Sequence, residues 1–481
     1  MRYSMLVYIT QMSGTLLEAA RYLCAAPEDG LRAELLENGR QMLAQIRAVL
    51  EGHRADLRSE APLAGLAELE TLWERGGPEL EARLEQFARE LPGQAAYQVR
   101  AVFFAELGEK WDAMESVYEY MRDDPRFDPV VVRTPVGRVV ERDGRQEQEI
   151  IYRDFLTPMG VPSLGYEQYD IEADCPELAF ISQPYESCTL EQFWPENIAK
   201  HTRLVYLPYF APFSNYETAR EALCEMPVYR HAWKTIGSSE KHYQYYRRYS
   251  ANRGANMLVT GVPKWDPTVR LIDHPAELPE AWHSAVMGRK AILWNTFYDY
   301  NGSSLLYFDD IYSWFQAHDD CALIWRPHPM MGTVTKLYYP EQYYKRFCEC
   351  ISLIDHAPNM VVDRESSYQA AFSWSIAQIS DLSSMMFQYL LLDKPVLYIK
   401  TDGRGKVNQS FFIDDCWMAR ANHAADIERF LERASQGIDD TAQIRKLVRQ
   451  RDIPLADGFC GERVCESLWT FLHKEDNMIC G

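Results

Sequence analysis

The chain has 481 residues, 47% of them hydrophobic and 25% charged, which is enough for two or three cored units rather than one. Lys and Arg number 50 against 70 Asp and Glu, and the net charge of −20 argues against general nucleic-acid affinity and against a dominant pull toward an anionic membrane. Eleven cysteines carry no repeated CxxC or CxxH pairing and so suggest neither a disulfide framework nor a zinc site. With no signal peptide and no apolar run of about 18 residues, a reduced, cytoplasmic protein without metal or cofactor is expected.

Residues 1–95 read as helices. In "AELLENGRQMLAQIRAVLEGHR" and "PELEARLEQFARELP" apolar positions recur three and four apart among Glu, Arg and Gln. The expectation is a helical layer or bundle whose apolar faces serve packing or self-association. At Gln98 the texture changes. "QVRAVFFAEL" is a short apolar strand, "KWDAMESVYEYMRDD" a helix and "DPVVVRTP" a second strand, with further strands at 178–185, 203–210 and 257–263. Within "KHYQYYRRYSANR" (241–253), Arg247, Arg248 and Arg253 form either a basic patch or a solvated helix face.

A second α/β series begins near Lys290: "KAILWNTF", "CALIWRPHP", "NMVVDRE", "SIAQISD" and "KPVLYIKTD", with helical stretches between them. The strands lack one-sided alternation, as strands of buried parallel sheets do. The expected architecture is α/β: two Rossmann-like halves, 96–268 and 285–475, facing a cleft and preceded by the helical region. In open parallel sheets ligands sit beyond the carboxyl ends of the strands.

Two motifs fall at such ends. In "RPHP" two prolines stiffen the loop around His328. If Arg326 and His328 project together, they make a receptor for a phosphate or diphosphate; the plainer alternative is a loop histidine bonded to a carbonyl. In "SDLSS" a helix opens at Asp381, Ser383 and Ser384, and its free N–H groups and hydroxyls suit a phosphate, although an ordinary N-cap has the same composition. The chain has no GxxxxGK[ST], no GxGxxG after a strand, no HExxH and no GxSxG, so a P-loop NTPase, a dinucleotide dehydrogenase, a zincin and a typical α/β hydrolase all lose ground.

The order "GVPKWD" (261–266), "ILWNTF" (292–297), "LIWRPHP" (323–329), "SDLSSMMFQYLLLDKPVLYI" (380–399) and "LADGFCGERV" (455–464) resembles the successive blocks of the CDP-glycerol glycerophosphotransferase family, the teichoic-acid polymerases and primases. The resemblance implies a two-domain GT-B fold. It also implies transfer of glycerol phosphate from CDP-glycerol to a hydroxyl on a polymer or glycan, in teichoic-acid and cell-wall synthesis, with release of CMP. By position, His328 resembles the histidine that steadies the diphosphate or protonates the departing phosphate, and Arg326 would neutralise the same group. Ser383 and Ser384 would hold donor phosphate, while Asp381 would orient the loop or bind a hydroxyl. Asn295 and Thr296 are candidates for the nucleotide wall.

The family's first-domain W-H-G block, whose histidine serves as acceptor base, has no counterpart here. "VYLPYFAPF" (205–213) stands in its place with Tyr209 near the histidine position. A phenol of pKa about 10 is a poor base near neutrality, so Tyr209 reads as an acceptor-side wall, and His231 and His242 remain unplaced alternatives. The expected partners are a CDP-alditol and a hydroxyl acceptor, not nucleic acid. Peripheral contact with the inner face of the membrane and self-association through residues 1–95 are further contacts this reading allows. The rival readings are a GT-B glycosyltransferase using a nucleotide sugar and a non-catalytic module that binds nucleotide or glycan.

Overall fold

Runs such as Val99–Ala105 and Cys321–Pro327, apolar at nearly every position, can be satisfied only between two covering layers, and they become central strands. The computed structural model describes residues 1–25, 30–142, 145–210, 220–301, 303–381, 383–399 and 418–476. Two sequence stretches, the end of 394–402 and the Ala-Pro-Phe of 205–213, lie outside them.

The first sheet is formed by β1 (Val99–Ala105) and β2 (Phe127–Arg133), then, past a hairpin of β3 (Val136–Arg142) and β4 (Arg145–Ile151), by β5 (Leu164–Gly165), β6 (Leu178–Ile181), β7 (Arg203–Tyr206), β8 (Lys234–Gly237) and β9 (Met257–Val259). All seven of its strands are parallel, in the order β5-β2-β1-β6-β7-β8-β9. The second sheet holds β10 (Lys290–Thr296), β11 (Cys321–Pro327), β12 (Met360–Val362), β13 (Ser375–Ser380), β14 (Val396–Ile399) and β15 (Ala419–Ala421). These six run parallel in the order β12-β11-β10-β13-β14-β15. Sequence analysis had not separated β8, β5, β15 or the β3–β4 hairpin.

Four helices precede the sheets: α1 (Tyr3–Ala25), α2 (Gly30–Gly52), α3 (Ala61–Arg75) and α4 (Pro78–Gln94). They form the expected helical region before the sheets, and it packs directly on the first of them. Leu6, Leu16, Leu66, Trp73 and Leu84 belong to the same buried cluster as Val99 and Phe103 of β1, and the N–H of Tyr3 donates to the carbonyl of Gln98 at 2.9 Å. Much of their apolar surface is therefore covered within the molecule, while Met5, Tyr8, Tyr22 and Leu31 stay exposed.

The expected second half, 285–475, is also revised at its end. The closing helix Cys460–Glu475 crosses back, and its Val464, Cys465, Leu468 and Leu472 join the first sheet's core. It can lie there because Gly461 has no side chain: a Cβ would come 2.6 Å from the backbone carbon of Ser116. Asp266 fixes its start, accepting from the N–H groups of Cys460 and Gly461 at 3.1 and 2.8 Å. Among the described residues no helix is long and apolar enough to cross a membrane.

Candidate functional site

The register of the second sheet brings the sequence motifs together. Asn295 lies opposite both Arg326 and Ser380, and Thr296 opposite Pro327, so the carboxyl ends of β10, β11 and β13 finish side by side. His328 is the first residue past β11. Its N–H donates to the carbonyl of Thr296 at 3.1 Å, and its carbonyl accepts from Met331 at 2.8 Å. The N–H of Met330 donates to Nδ1 of the ring at 3.1 Å. With Nδ1 accepting, the neutral ring carries its hydrogen on Nε2. Tyr298 and Phe297, just past β10, lie at ring separations of 5.4 and 6.4 Å from it.

Arg326 goes the other way. Its Nη1 pairs with Asp363 Oδ2 at 2.5 Å, beyond the end of β12, and Nη1 and Nη2 donate to the carbonyls of Ser367 and Ser366 at 3.1 and 3.4 Å. The joint projection expected of Arg326 and His328 is thus not formed: β11 lies between β12 and β10, and each residue turns toward a different neighbour. The cause is Asp363, fully buried in its side chain, where burial pushes its carboxyl pKa up against the pull of Arg326. Such a carboxylate captures the nearest guanidinium.

Asp381 is 1% exposed. Its Oδ2 accepts from the N–H of Phe297 at 2.7 Å and its Oδ1 from Ser304 at 2.8 Å, so it ties down the loop after β10. Ser383 caps the short helix Ser384–Tyr389, its hydroxyl accepting from Met385 at 3.2 Å. Ser384 opens that helix and is half-buried. Asn295 and Thr296 are almost wholly buried. Asn295 Nδ2 donates to the carbonyl of Arg326 at 3.3 Å, and Thr296 Oγ1 accepts from Trp325 Nε1 at 3.3 Å. Both knit strand ends together beneath the loops.

On the opposite side, Tyr209 follows β7 and lies under Lys110, whose Nζ is 4.9 Å from the ring centre. Burial, then the neighbouring Tyr185, drives its phenol well above the ordinary range. Lys110 also pairs at 3.1 Å with Glu106, a carboxylate just past β1 whose pKa burial raises. His242 is buried, accepts at Nδ1 from the N–H of Ser238 at 3.2 Å, and is pushed down to about 3 by desolvation. His231 is exposed before β8, on the sheet edge away from the cleft. Arg247 and Arg248 are exposed on the helix Glu240–Tyr249.

The two halves meet where their carboxyl edges face each other. A cavity of about 280 Å³ lies between residues 108–115 and 155–159 of the first half and residues 366–369 of the second, the loop that Arg326 holds. Around it Lys264 pairs with Asp112 at 2.5 Å, Gln388 donates to Thr268 at 2.7 Å, and the hydroxyls of Thr268 and Tyr368 are 3.0 Å apart. Glu115 stands in the cavity wall. Burial, together with Glu119 and Asp112 and opposed by Arg270, lifts its carboxyl to about 7. Sequence analysis missed this group, although Glu109, Asp112 and Glu115 recur every third residue.

Two parallel sheets whose carboxyl edges face each other make a GT-B-like fold, with the crevice beyond the strand ends as the place for a ligand. A family model, CDP-Glycerol:Poly(glycerophosphate) glycerophosphotransferase, matches residues 215–470, more than half the chain, and the chain belongs to that family. None of the curated proteins matches. Among solved structures, a UDP-N-acetylglucosamine 2-epimerase from Listeria monocytogenes is similar in fold, with 9% identity, a TM-score of 0.53, and 78% of this chain and 97% of that one covered. MnaA of S. aureus, solved with UDP, gives 10%, 0.51, 79% and 98%. The wall teichoic acid polymerase TagF gives 13%, 0.49, 87% and 98%.

Proposed function

We propose that the protein transfers glycerol phosphate, or a related alditol phosphate, from CDP-glycerol or its CDP-alditol counterpart to an acceptor hydroxyl in the synthesis of a cell-surface polymer or decorated glycan, working in the cytoplasm or at the inner face of the membrane. In this reaction the acceptor oxygen bonds to the phosphorus of glycerol phosphate, the bond from that phosphorus to CMP breaks, and CMP departs with the electron pair. Catalysis of such a transfer rests chiefly on positioning and on stabilising the leaving charge.

The observation that carries the reading is the setting of His328 within the family-matched region. It stands on a proline-stiffened turn at the carboxyl ends of the strands, with Nδ1 accepting from Met330, which places the neutral ring's hydrogen on Nε2. Its role in this reading is to hydrogen-bond the departing phosphate through Nε2. Ser384 and the first turn of its helix are the donor-phosphate contacts in this reading. Ser383 acts as cap, Asp381 and Arg326 as positioning residues for their loops, and Asn295 and Thr296 as the base on which the nucleotide wall stands.

A thermal-shift panel tests it. A ligand that binds only the folded state raises its stability, by about 2.7 kcal/mol at a hundred times its Kd. CDP-glycerol or CDP-ribitol, and CMP more weakly, are expected to raise the melting temperature. A shift with UDP- or GDP-sugars and none with the CDP compounds would replace this reading with the sugar-transfer one.

A further inference from the structure

One motif that the proposed transfer leaves unused is "KHYQYYRRYSANR" (241–253). The helix Glu240–Tyr249 starts past the carboxyl end of β8 and runs back along the sheet for about 15 Å. Arg247 and Arg248 in its last turn, and Arg253 beyond it, therefore reach the amino edge of the first sheet, beside the approaches to β7 and β8. Hydrogen bonds fix that neighbourhood. The carbonyl of Tyr229, just before Arg230, accepts from the Tyr246 hydroxyl, Asn252 Nδ2 and Asn256 Nδ2 at 3.4, 3.5 and 3.2 Å. The short helix Pro227–His231, which carries Arg230, packs on Pro195–Ile198, which leads to Lys200. Lys200, Arg230, Arg247, Arg248 and Arg253 are all exposed, and none has a carboxylate partner among the described residues. The carboxylates nearby are taken: Glu475 and Asp476 hold Lys234 and Arg203, and Glu225 holds Arg220. Arg253 is moreover kept at φ 52, where Gly or Asn is at ease, and such outliers cluster where a side chain is held for use.

Five cations without carboxylate partners, spread over three segments of a chain whose net charge is −20, suit an anion long enough to reach all of them. The rest of the surface decides its shape. A planar anionic membrane would bring the acidic remainder of the chain within a Debye length, about 8 Å. Among the described residues of 200–256 no large apolar side chain is exposed to enter such a membrane. A thread touches the strip alone. We propose that this strip is a second site for the acceptor polymer and holds a run of its phosphodiesters while the hydroxyl end lies in the cleft. The proposal rests on the transferase reading above, in which the acceptor is a polymer of glycerol phosphate or a related alditol phosphate. The helix supplies the path between the two places. Lys241, Gln244 and Arg248, exposed and spaced three and four apart on one face, lead from the join between the halves, where Lys241 meets Asp452 at 2.6 Å, to the strip. A chain held there stays with the protein between transfers.

The test is fluorescence anisotropy of a labelled glycerol phosphate oligomer titrated with the full chain. Binding is expected, and it should weaken about tenfold or more between about 50 and 200 mM salt. The triple variant Arg247→Gln, Arg248→Gln, Arg253→Asn is expected to weaken it about a hundredfold, at roughly fivefold for each cation. Arg58→Gln, Arg75→Gln, Arg89→Gln removes as much charge from exposed positions of the N-terminal region and is expected to leave binding unchanged. Equal losses in the two variants, tighter binding of an oligothymidylate of the same length, or binding of phosphatidylglycerol vesicles in preference to the oligomer overturns the proposal. CDP-glycerol affinity, measured in the same samples and expected to be unchanged in both variants, keeps the two readings apart. Oligomer binding with no CDP-glycerol affinity keeps the strip and removes the transfer chemistry, whereas CDP-glycerol affinity with no oligomer binding removes the strip.

Discussion

His328 could be located from sequence because its prolines are its neighbours in the chain; its orientation could not, because the Met330 N–H that sets the ring acts only once the turn is closed. If the ring donates to the leaving phosphate, His328→Ala should lower turnover by about 10²–10³ with donor affinity little changed, in steady-state kinetics paired with calorimetry. Near-normal turnover with a lower melting temperature would return His328 to loop support. Arg326 was misjudged in its direction, since its partner Asp363 is 37 residues away. Arg326→Ala strands a buried carboxylate, and removing one partner of such a pair typically costs about 3–5 kcal/mol. Urea unfolding should show that loss, and Asp363→Asn in the same chain should recover much of it. Tyr209, its phenol raised by burial, is no base near neutrality, so Tyr209→Phe should keep most donor-dependent activity; a hundredfold loss in turnover would place its hydroxyl in the chemistry.

Among the elements, the strands of the second sheet were legible because burial on both faces leaves continuous apolar runs, as in Cys321–Pro327. The hairpin Val136–Ile151 escaped notice although an Asp-Gly pair, the commonest two-residue hairpin signal, stands at its centre; the pair itself lies outside the described residues. The helix after β13 divides the work of two adjacent serines. Ser383→Ala removes the cap bond to Met385 and should cost about 0.5–2 kcal/mol with donor affinity per folded molecule unchanged, whereas Ser384→Ala should weaken CDP-glycerol binding and leave stability nearly intact; calorimetry on both variants reads the difference. The helix Glu240–Tyr249 holds His242 neutral. Its folded pKa, depressed to about 3, lies below the unfolded value of about 6.5. The unfolded chain therefore binds the extra proton between these values, and stability is present above pH 6.5 and lost as pH falls through the window. His242→Gln should flatten the urea midpoint between pH 7 and 5.

At the scale of the molecule, the N-terminal helices and the closing helix both belong to the first sheet's core. The shared cluster around Phe103 and Trp73 predicts that deleting residues 1–95 exposes a continuous apolar face and yields an aggregating or partly unfolded first half. Circular dichroism and size-exclusion chromatography check this, and a folded, monomeric truncated chain would restore the independent helical region.

What the sequence determined by itself was local: the strands, whose patterning follows from burial on two faces; the rigid turn at His328, which two prolines impose; and the blocks that carry the family resemblance. What tertiary structure decided was every pairing across distance. Arg326 turned to Asp363, Asp381 to the N–H groups of Phe297 and Ser304, Asp266 to the closing helix, and Glu115 into a cavity between the halves. A buried charge or polar group takes whichever partner the fold brings within about 3 Å, and that choice is made by the packing of elements tens to hundreds of residues apart, which no local pattern records.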